Sequence, residues 1–347
     1  MKKVFLIGVL LCCVFTVSAC GGSSSGGSSQ APEPANSFEG LFAYIDENET
    51  GVDGLLIIHK GETLVEKYYG TYARNTIHDL MSATKSLTSA LIGIAINKGF
   101  IQSVDQPIFE LLPEYSDLFT EEKKRITLRH LLEMSSGLEW RDWRTVENPD
   151  SSFDEINASS DSVAYILNQA LLTEPGDVFF YNTGSSHLLS AILRFRTGTS
   201  TLEFAGEHLF EPLGITDYMW EDLPPGVHKG GWGLSLRPLD MAKFGELFLN
   251  KGRWEDVQLI SRDWVEKSTS FKIEVKGDDD DYAFHWWRPG GYDTDIYAAL
   301  GFAGQCIYVL NELDLVVVFT GRDGEAGYRM PDFLMKNHIV PKIRVAS

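Results

Sequence analysis

The sequence predicts a mixed α/β domain. One antiparallel sheet, built from both ends of the chain, carries helices on its faces and encloses an inserted, mainly helical subdomain. Three observations predict it. Strand-like runs joined by hairpin turns occur near residues 54–70 and again near 282–321, and helix-period stretches fill the middle, roughly residues 100–250. The composition is that of a globular chain with ample core: 347 residues, 44% hydrophobic, 12% aromatic and 23% charged.

The chain opens with Lys2 and Lys3 ahead of an apolar run, Val4 to Val17, followed by small residues and Cys20. That run is too short to cross a bilayer comfortably and has the layout of a secretory leader. The stretch "VSAC" resembles a bacterial lipoprotein box, in which removal of residues 1–19 leaves Cys20 to carry lipid. An ordinary leader cut after Ala19 is the other reading, and both place the protein outside the cytoplasm. Cys12 and Cys13 leave with the leader, so Cys306 remains alone and no disulfide framework is possible. Residues 20–37 then form a low-complexity tether. Within it Gly22 to Gly26 formally matches G-x-S-x-G, but neither the strand before that motif nor the helix after it is present.

The globular domain is expected over 38–345. "FEGLFAYIDEN" has helical spacing, and "GLLIIHKGETLVEKYYG" reads as two strands around a turn at His59-Lys60-Gly61-Glu62. "HDLMSATKSLTSALIGIA" follows as a long helix, with Leu87, Leu91 and Ile94 on one stripe and Gly99 as its stop. The helical subdomain is placed at roughly 79–230, with "LRHLLEMSS" and "SSHLLSAILRFRTG" as its clearest helices. Strands return with "YAFHWWRP" and with "GQCIYVLNELDLVVVFTG", a hairpin turning at Asn311 to Asp314. Met330 to Ile339 closes the domain as a helix, and no internal repeat is visible.

The net charge of −19 excludes nucleic acid, which demands a basic face, and otherwise serves solubility. The eight histidines show no zinc spacing, and "GDDDDY" at 277–282 lacks the interleaving of a calcium loop. No metal and no cofactor are expected. Trp140, Trp143, Trp232, Trp286 and Trp287 are candidate walls of an apolar pocket.

Chemistry concentrates at Ser82 and Lys85. Residues three apart share a helix face, so the lysine can reach the hydroxyl, and a helix N-terminus favours developing negative charge. Two readings stay open on these residues alone: a nucleophile with its base, or an N-capping serine. A capping box would want Glu or Gln where Lys85 stands, and a cation in the first turn opposes the helix dipole. As a base Lys85 must lose its proton far below the usual lysine range, which burial favours and a neighbouring carboxylate opposes. Asp79 is expected to project elsewhere and is given no role.

Five ordered segments carry a resemblance: "MSATKSLTSALIGIAINKGFI", "ITLRHLLEMSSGLEW", "EPGDVFFYNTGSSHLLSAIL", "GGWGLSLRPLDMAKFGELFLNKG" and "GFAGQCIYVLNELDLVVVF". Over about residues 40–322 the chain resembles the serine hydrolase superfamily of class C β-lactamases and penicillin-binding-protein-like esterases. In appearance it is closest to the 6-aminohexanoate-oligomer hydrolases and esterases. The resemblance implies a β-lactamase/transpeptidase-like fold, with Ser82 as acylated nucleophile, Lys85 as its activator and Tyr181 passing the proton to the leaving group. Beside a lysine ammonium that phenol is expected to titrate low. Thr183 stands where the family usually has Asn or Ser after its tyrosine, and keeps a hydroxyl. The family's third motif, Lys-Thr-Gly or His-x-Gly on a strand, is missing. Tyr297-Ala298-Ala299-Leu300-Gly301 occupies its place, and Lys229-Gly230-Gly231 reads as a loop. Oxyanion donors are expected from the Ser82 N–H and from backbone near Ala299 and Gly301. The implied partner is a small ester or amide, with the membrane held through lipid on Cys20. A β-lactamase or D-Ala-D-Ala-type peptidase is the alternative within enzymes, and a non-catalytic surface lipoprotein the alternative outside them.

Overall fold

In the computed structural model, residues 37–142, 151–270, 272–277, 279–322 and 329–346 are described. The leader, Cys20 and nearly all of the tether lie outside the described residues, as does Trp143.

Helix α1 (Glu39–Glu47) precedes the hairpin β1 (Val52–His59) and β2 (Glu62–Tyr68). Lys60 and Gly61 both adopt left-handed backbone, φ 54° and 77°, which is the two-residue turn that matches strand twist. Helices α2 (Thr84–Asn97), α3 (Thr183–Thr197) and α4 (Pro238–Leu249) follow. The remaining sheet strands are β3 (Ile273–Glu274), β4 (Asp281–Tyr282), β5 (Trp287–Arg288), β6 (Ile296–Gly301), β7 (Gln305–Leu310) and β8 (Leu315–Gly321). These eight form one sheet in the order β3-β4-β5-β6-β7-β8-β1-β2, antiparallel throughout, with β1 from the N-terminal part paired to β8 from the C-terminal part. A smaller sheet pairs residues 78–79, 234–236 and 218–220.

Runs such as "LLII" and "LVVVF" are continuously apolar because the sheet is covered on both faces. Leu55, Ile57, Val317 and Phe319 join α1 and the C-terminal helices in one core through Leu41, Ile45, Leu334 and Ile343. Leu56, Ile58, Val316 and Val318 face the other way and join Leu87, Phe244 and Phe248 of α2 and α4. The period-two alternation of a strand divides the same run between two cores.

Three expectations need correction. Helix α2 is not buried along one stripe: every residue from Thr84 to Ala95 is buried. Its polar face is buried because small hydroxyl residues there find acceptors. Ser86 Oγ donates to the His285 carbonyl at 2.6 Å, and Thr88 Oγ1 to the Gly230 carbonyl at 2.7 Å. "YAFHWWRP" is not one strand but the hairpin β4–β5, with Tyr282 opposite Trp287. The turn between them is pinned by His285, which sits at φ 62° and whose Nδ1 lies 3.0 Å from the Leu132 carbonyl. The last helix also extends past Ile339, as Arg329–Leu334, a π turn and Val340–Ala346.

Gly93 lets α2 accept the buried Trp264, since a Cβ there would lie 2.3 Å from the indole ring. Gly93→Ala is therefore expected to destabilise the fold by about 1–3 kcal/mol through overpacking, despite alanine's better helix propensity. Urea unfolding measures it, with the midpoint falling at unchanged slope.

Candidate active site

Ser82 occupies a 3-10 turn, Met81–Ala83, that leads directly into α2. Its side chain caps nothing, so the capping reading is not realised. Met81 adopts φ 47°, a left-handed conformation that bulky residues rarely take. Asp79, given no role from sequence, holds that turn: its Oδ1 accepts from the Met81 N–H at 2.8 Å. The bend lifts Ser82 out of the regular helix while Lys85 remains inside it.

Lys85 is buried, and its Nζ lies 3.1 Å from Ser82 Oγ and donates to the Gly231 carbonyl at 3.0 Å. Burial pulls the amine down to about 7, against an opposing pull from the Asp142 carboxylate. Near neutral pH a large fraction of Lys85 is therefore unprotonated and able to accept the Ser82 proton. The "GG" loop at 230–231, read from sequence as a bystander, supplies the carbonyl that aims this amine. It comes close because glycine has no side chain: a Cβ at Gly231 would lie 2.7 Å from Thr183 Cγ2 and 3.2 Å from Lys85 Nζ.

Tyr181 lies just before α3, with Lys85 Nζ 4.8 Å from its ring centroid and its hydroxyl hydrogen-bonded to Ser82. Its ring stacks on Trp287 at 5.9 Å, with Tyr282 edge-on at 6.5 Å. The expectation of a low-titrating phenol is overturned. Burial, joined by the Asp142 charge, pushes Tyr181 well above the usual tyrosine range. A half-neutral lysine gives too little positive charge to offset that desolvation. The phenol stays protonated and can act as a proton donor.

Asn182 anchors this corner, its side chain accepting from the Ser185 N–H at 2.9 Å and donating to the Leu138 carbonyl at 3.0 Å. Gly184 leaves room for Trp140, whose ring would lie 2.6 Å from a Cβ at that position. Trp140 in turn donates from Nε1 to Asp142 Oδ1 at 2.9 Å. Thr183 is buried with its hydroxyl toward Asp142.

A cavity of about 570 Å³ opens over Ser82, lined by Met81, Asp142, Ser151, Phe153, Asp154, Tyr181, Thr183, Trp232 and Phe302. Of the tryptophans proposed as walls, Trp232 lines it, Trp287 backs Tyr181, Trp140 supports Asp142, and Trp286 is core against Phe244. Ala299 lies inside β6, and Gly301 ends that strand. Ala299 is buried opposite Ile307, its side chain in the core with Tyr297. Gly301 abuts the nucleophile turn, where a Cβ would lie 2.3 Å from the Leu80 carbonyl oxygen, and the next residue, Phe302, borders the cavity. It is thus the end of β6 that meets the nucleophile turn. Asp142 is the site residue that sequence reasoning missed. Its only local signal is an acid two residues beyond a tryptophan.

Comparison with known proteins places the chain in a family. Residues 42–332 match the beta-lactamase family. The chain is 24% identical over 294 residues to a 6-aminohexanoate-dimer hydrolase of Paenarthrobacter ureafaciens, across 78% of this chain and 72% of that protein. It is 26% identical over 240 residues to a beta-lactamase of Escherichia coli, across 66% of this chain and 57% of that one. Among solved structures, one from Bacillus anthracis, provisionally assigned as a 6-aminohexanoate-dimer hydrolase, superposes with a TM-score of 0.76. Its sequence identity is 22%, over 88% of this chain and 81% of that one. A match that runs from α1 through the whole sheet to the C-terminal helices makes this chain a member of the beta-lactamase family and a serine hydrolase of that type.

Proposed function

We propose that the protein hydrolyses a small ester or amide through a covalent acyl-enzyme on Ser82. The observation that carries this reading is the Ser82 hydroxyl 3.1 Å from a buried lysine that titrates near 7, under a mainly apolar cavity. Neutral Lys85, oriented by the Gly231 carbonyl, accepts the Ser82 proton as the oxygen attacks the substrate carbonyl. The Ser82 N–H and a second N–H at the end of β6 stabilise the oxyanion. Tyr181 gives its proton to the leaving group and recovers one from the Lys85 ammonium. Water then repeats the sequence in reverse and frees the acid.

The cavity's charge supports the choice of substrate. Among the described residues lining it there is no arginine or lysine, while Asp142 and Asp154 are both present. A β-lactam or D-peptide carboxylate would meet carboxylates there instead of the cation that the missing third motif supplies elsewhere in the family. The relative named a 6-aminohexanoate-dimer hydrolase supports the amide half of the reading. Turnover of p-nitrophenyl acyl esters without turnover of nitrocefin is expected, and the opposite result would assign a β-lactamase. Equal rates for wild type and a Ser82 variant on every substrate would favour the non-catalytic reading.

Two further outcomes follow from the protonation states. The kcat/KM profile should rise through a midpoint near pH 7 as Lys85 deprotonates, with no tyrosine-dependent fall until well into alkali. Tyr181→Phe should lower kcat by about 10²-fold or more, less for p-nitrophenol esters, whose leaving group needs little protonation. For location, the proposal is an extracytoplasmic protein anchored by lipid on Cys20, resting on the Lys2–Cys20 segment. Cys20→Ser should move the protein from the membrane fraction to the soluble one.

A further inference from the structure

Asp142 has no part in the proton transfers above, yet it sits on the wall of the same cavity as Ser82, Tyr181 and Thr183. Two groups border it. The buried Trp140 donates to Oδ1 at 2.9 Å and fixes the carboxylate, and the Thr183 hydroxyl, buried and without a hydrogen-bond partner of its own, faces it. Thr183 is itself beside Lys85, since its Cγ2 and Lys85 Nζ border the same point next to Gly231. The titratable groups around Lys85 are Tyr181 ahead of α3, His285 in the β4–β5 turn and Asp142, with Tyr282 behind Tyr181. His285 is held neutral by burial, pushed down to about 3, and both tyrosines are held protonated. Asp142 is therefore the carboxylate that Lys85 faces among the described residues; burial pushes its own carboxyl above the usual carboxylate range, against the pull of the Lys85 charge and the Trp140 hydrogen bond.

We propose that Asp142 is a positioning residue of the reaction: fixed by Trp140 on the cavity wall it shares with Ser82 and Thr183, its carboxylate stabilises the ammonium that forms on Lys85 when the Ser82 proton arrives. The inference rests on the acyl-enzyme reading. An otherwise uncompensated ammonium in a buried site is costly, and a nearby anion lowers that cost at the moment the nucleophile attacks. Asp142 in turn holds Lys85 at about 7 against the further fall that burial alone would impose. The carboxylate thus makes the lysine a stronger base, which keeps its proton up to a higher pH than burial alone would allow.

The test is the pH dependence of Ser82 labelling by a neutral fluorophosphonate, measured on wild type, Asp142→Asn and Asp142→Glu. Removing the anion should move the acid midpoint down by about one pH unit, so labelling at pH 5 rises roughly tenfold relative to its own plateau. The plateau itself should fall, because a weaker base drives the attack less well. Asp142→Glu should restore the wild-type midpoint, which a purely structural role would not require. Labelling of Asp142→Asn with an unmoved midpoint overturns this inference alone. Absence of labelling in the wild type overturns the acyl-enzyme reading and this inference with it. If Asp142→Asn does not fold by circular dichroism, Asp142→Ser removes the same charge and the same two midpoints decide.

Discussion

Ser82→Ala is expected to abolish turnover, lowering kcat/KM on p-nitrophenyl esters by about 10⁴-fold or more. The loss should appear in kcat, because the hydroxyl forms the bond that breaks in every cycle. The cavity keeps its other walls, from Phe153 and Trp232 to Tyr181, so KM should change much less. Stability should be preserved. Ser82 is half-buried, its side chain caps no helix, and α2 is held by its buried residues from Thr84 to Ala95. A melting temperature near that of wild type, beside a lost activity, separates chemistry from folding.

Lys85→Met should be nearly as severe in activity, with a loss of about 10³-fold or more, because the base is removed and the shape kept. Its effect on stability distinguishes a catalytic lysine from a structural one. The buried amine carries a desolvation penalty large enough to pull it to about 7. Methionine removes that penalty but leaves the Gly231 carbonyl without its 3.0 Å donor. The two effects oppose each other, and the net change should stay within about 1 kcal/mol. A lysine present only to hold the 230–231 loop would show the reverse pattern, with large destabilisation and activity lost in proportion to unfolded protein. The pH profile adds an independent check, since the wild-type midpoint near 7 should vanish from whatever activity remains.

Much of this site was legible in the sequence because its parts are local. Ser82 and Lys85 are three residues apart on one stretch, and the hairpins at Lys60-Gly61 and Asn311–Asp314 declare themselves by turn chemistry between apolar runs. What escaped depends on contacts between distant segments. The Gly231 carbonyl reaches Lys85 across 146 positions, and Asp142 approaches it from a loop that no periodicity marks. Asp79 was close enough to see, but its bond to the Met81 N–H depends on a left-handed residue that sequence alone does not announce. Alternation turns the Ala299 side chain into the core, while Phe302, just past the end of β6, borders the cavity, so the strand end nearest the site shows only in the assembled fold. Tyr181 enters through the family resemblance of its segment, while its proton affinity depends on the fold. Burial of the phenol outweighs the partial charge of Lys85, and burial is a property of the assembled fold.

The proposed reaction depends on a covalent bond formed at Ser82. The most direct measurement is intact-protein and peptide mass spectrometry after brief exposure to a fluorophosphonate or a slowly deacylating ester at pH 8, where Lys85 is mostly neutral. One adduct per chain is expected, on Ser82 within the peptide that carries Lys85, and none in Ser82→Ala. A folded wild-type chain that forms no adduct with any acylating agent, or an adduct that forms equally well on Ser82→Ala, would overturn the acyl-enzyme on Ser82.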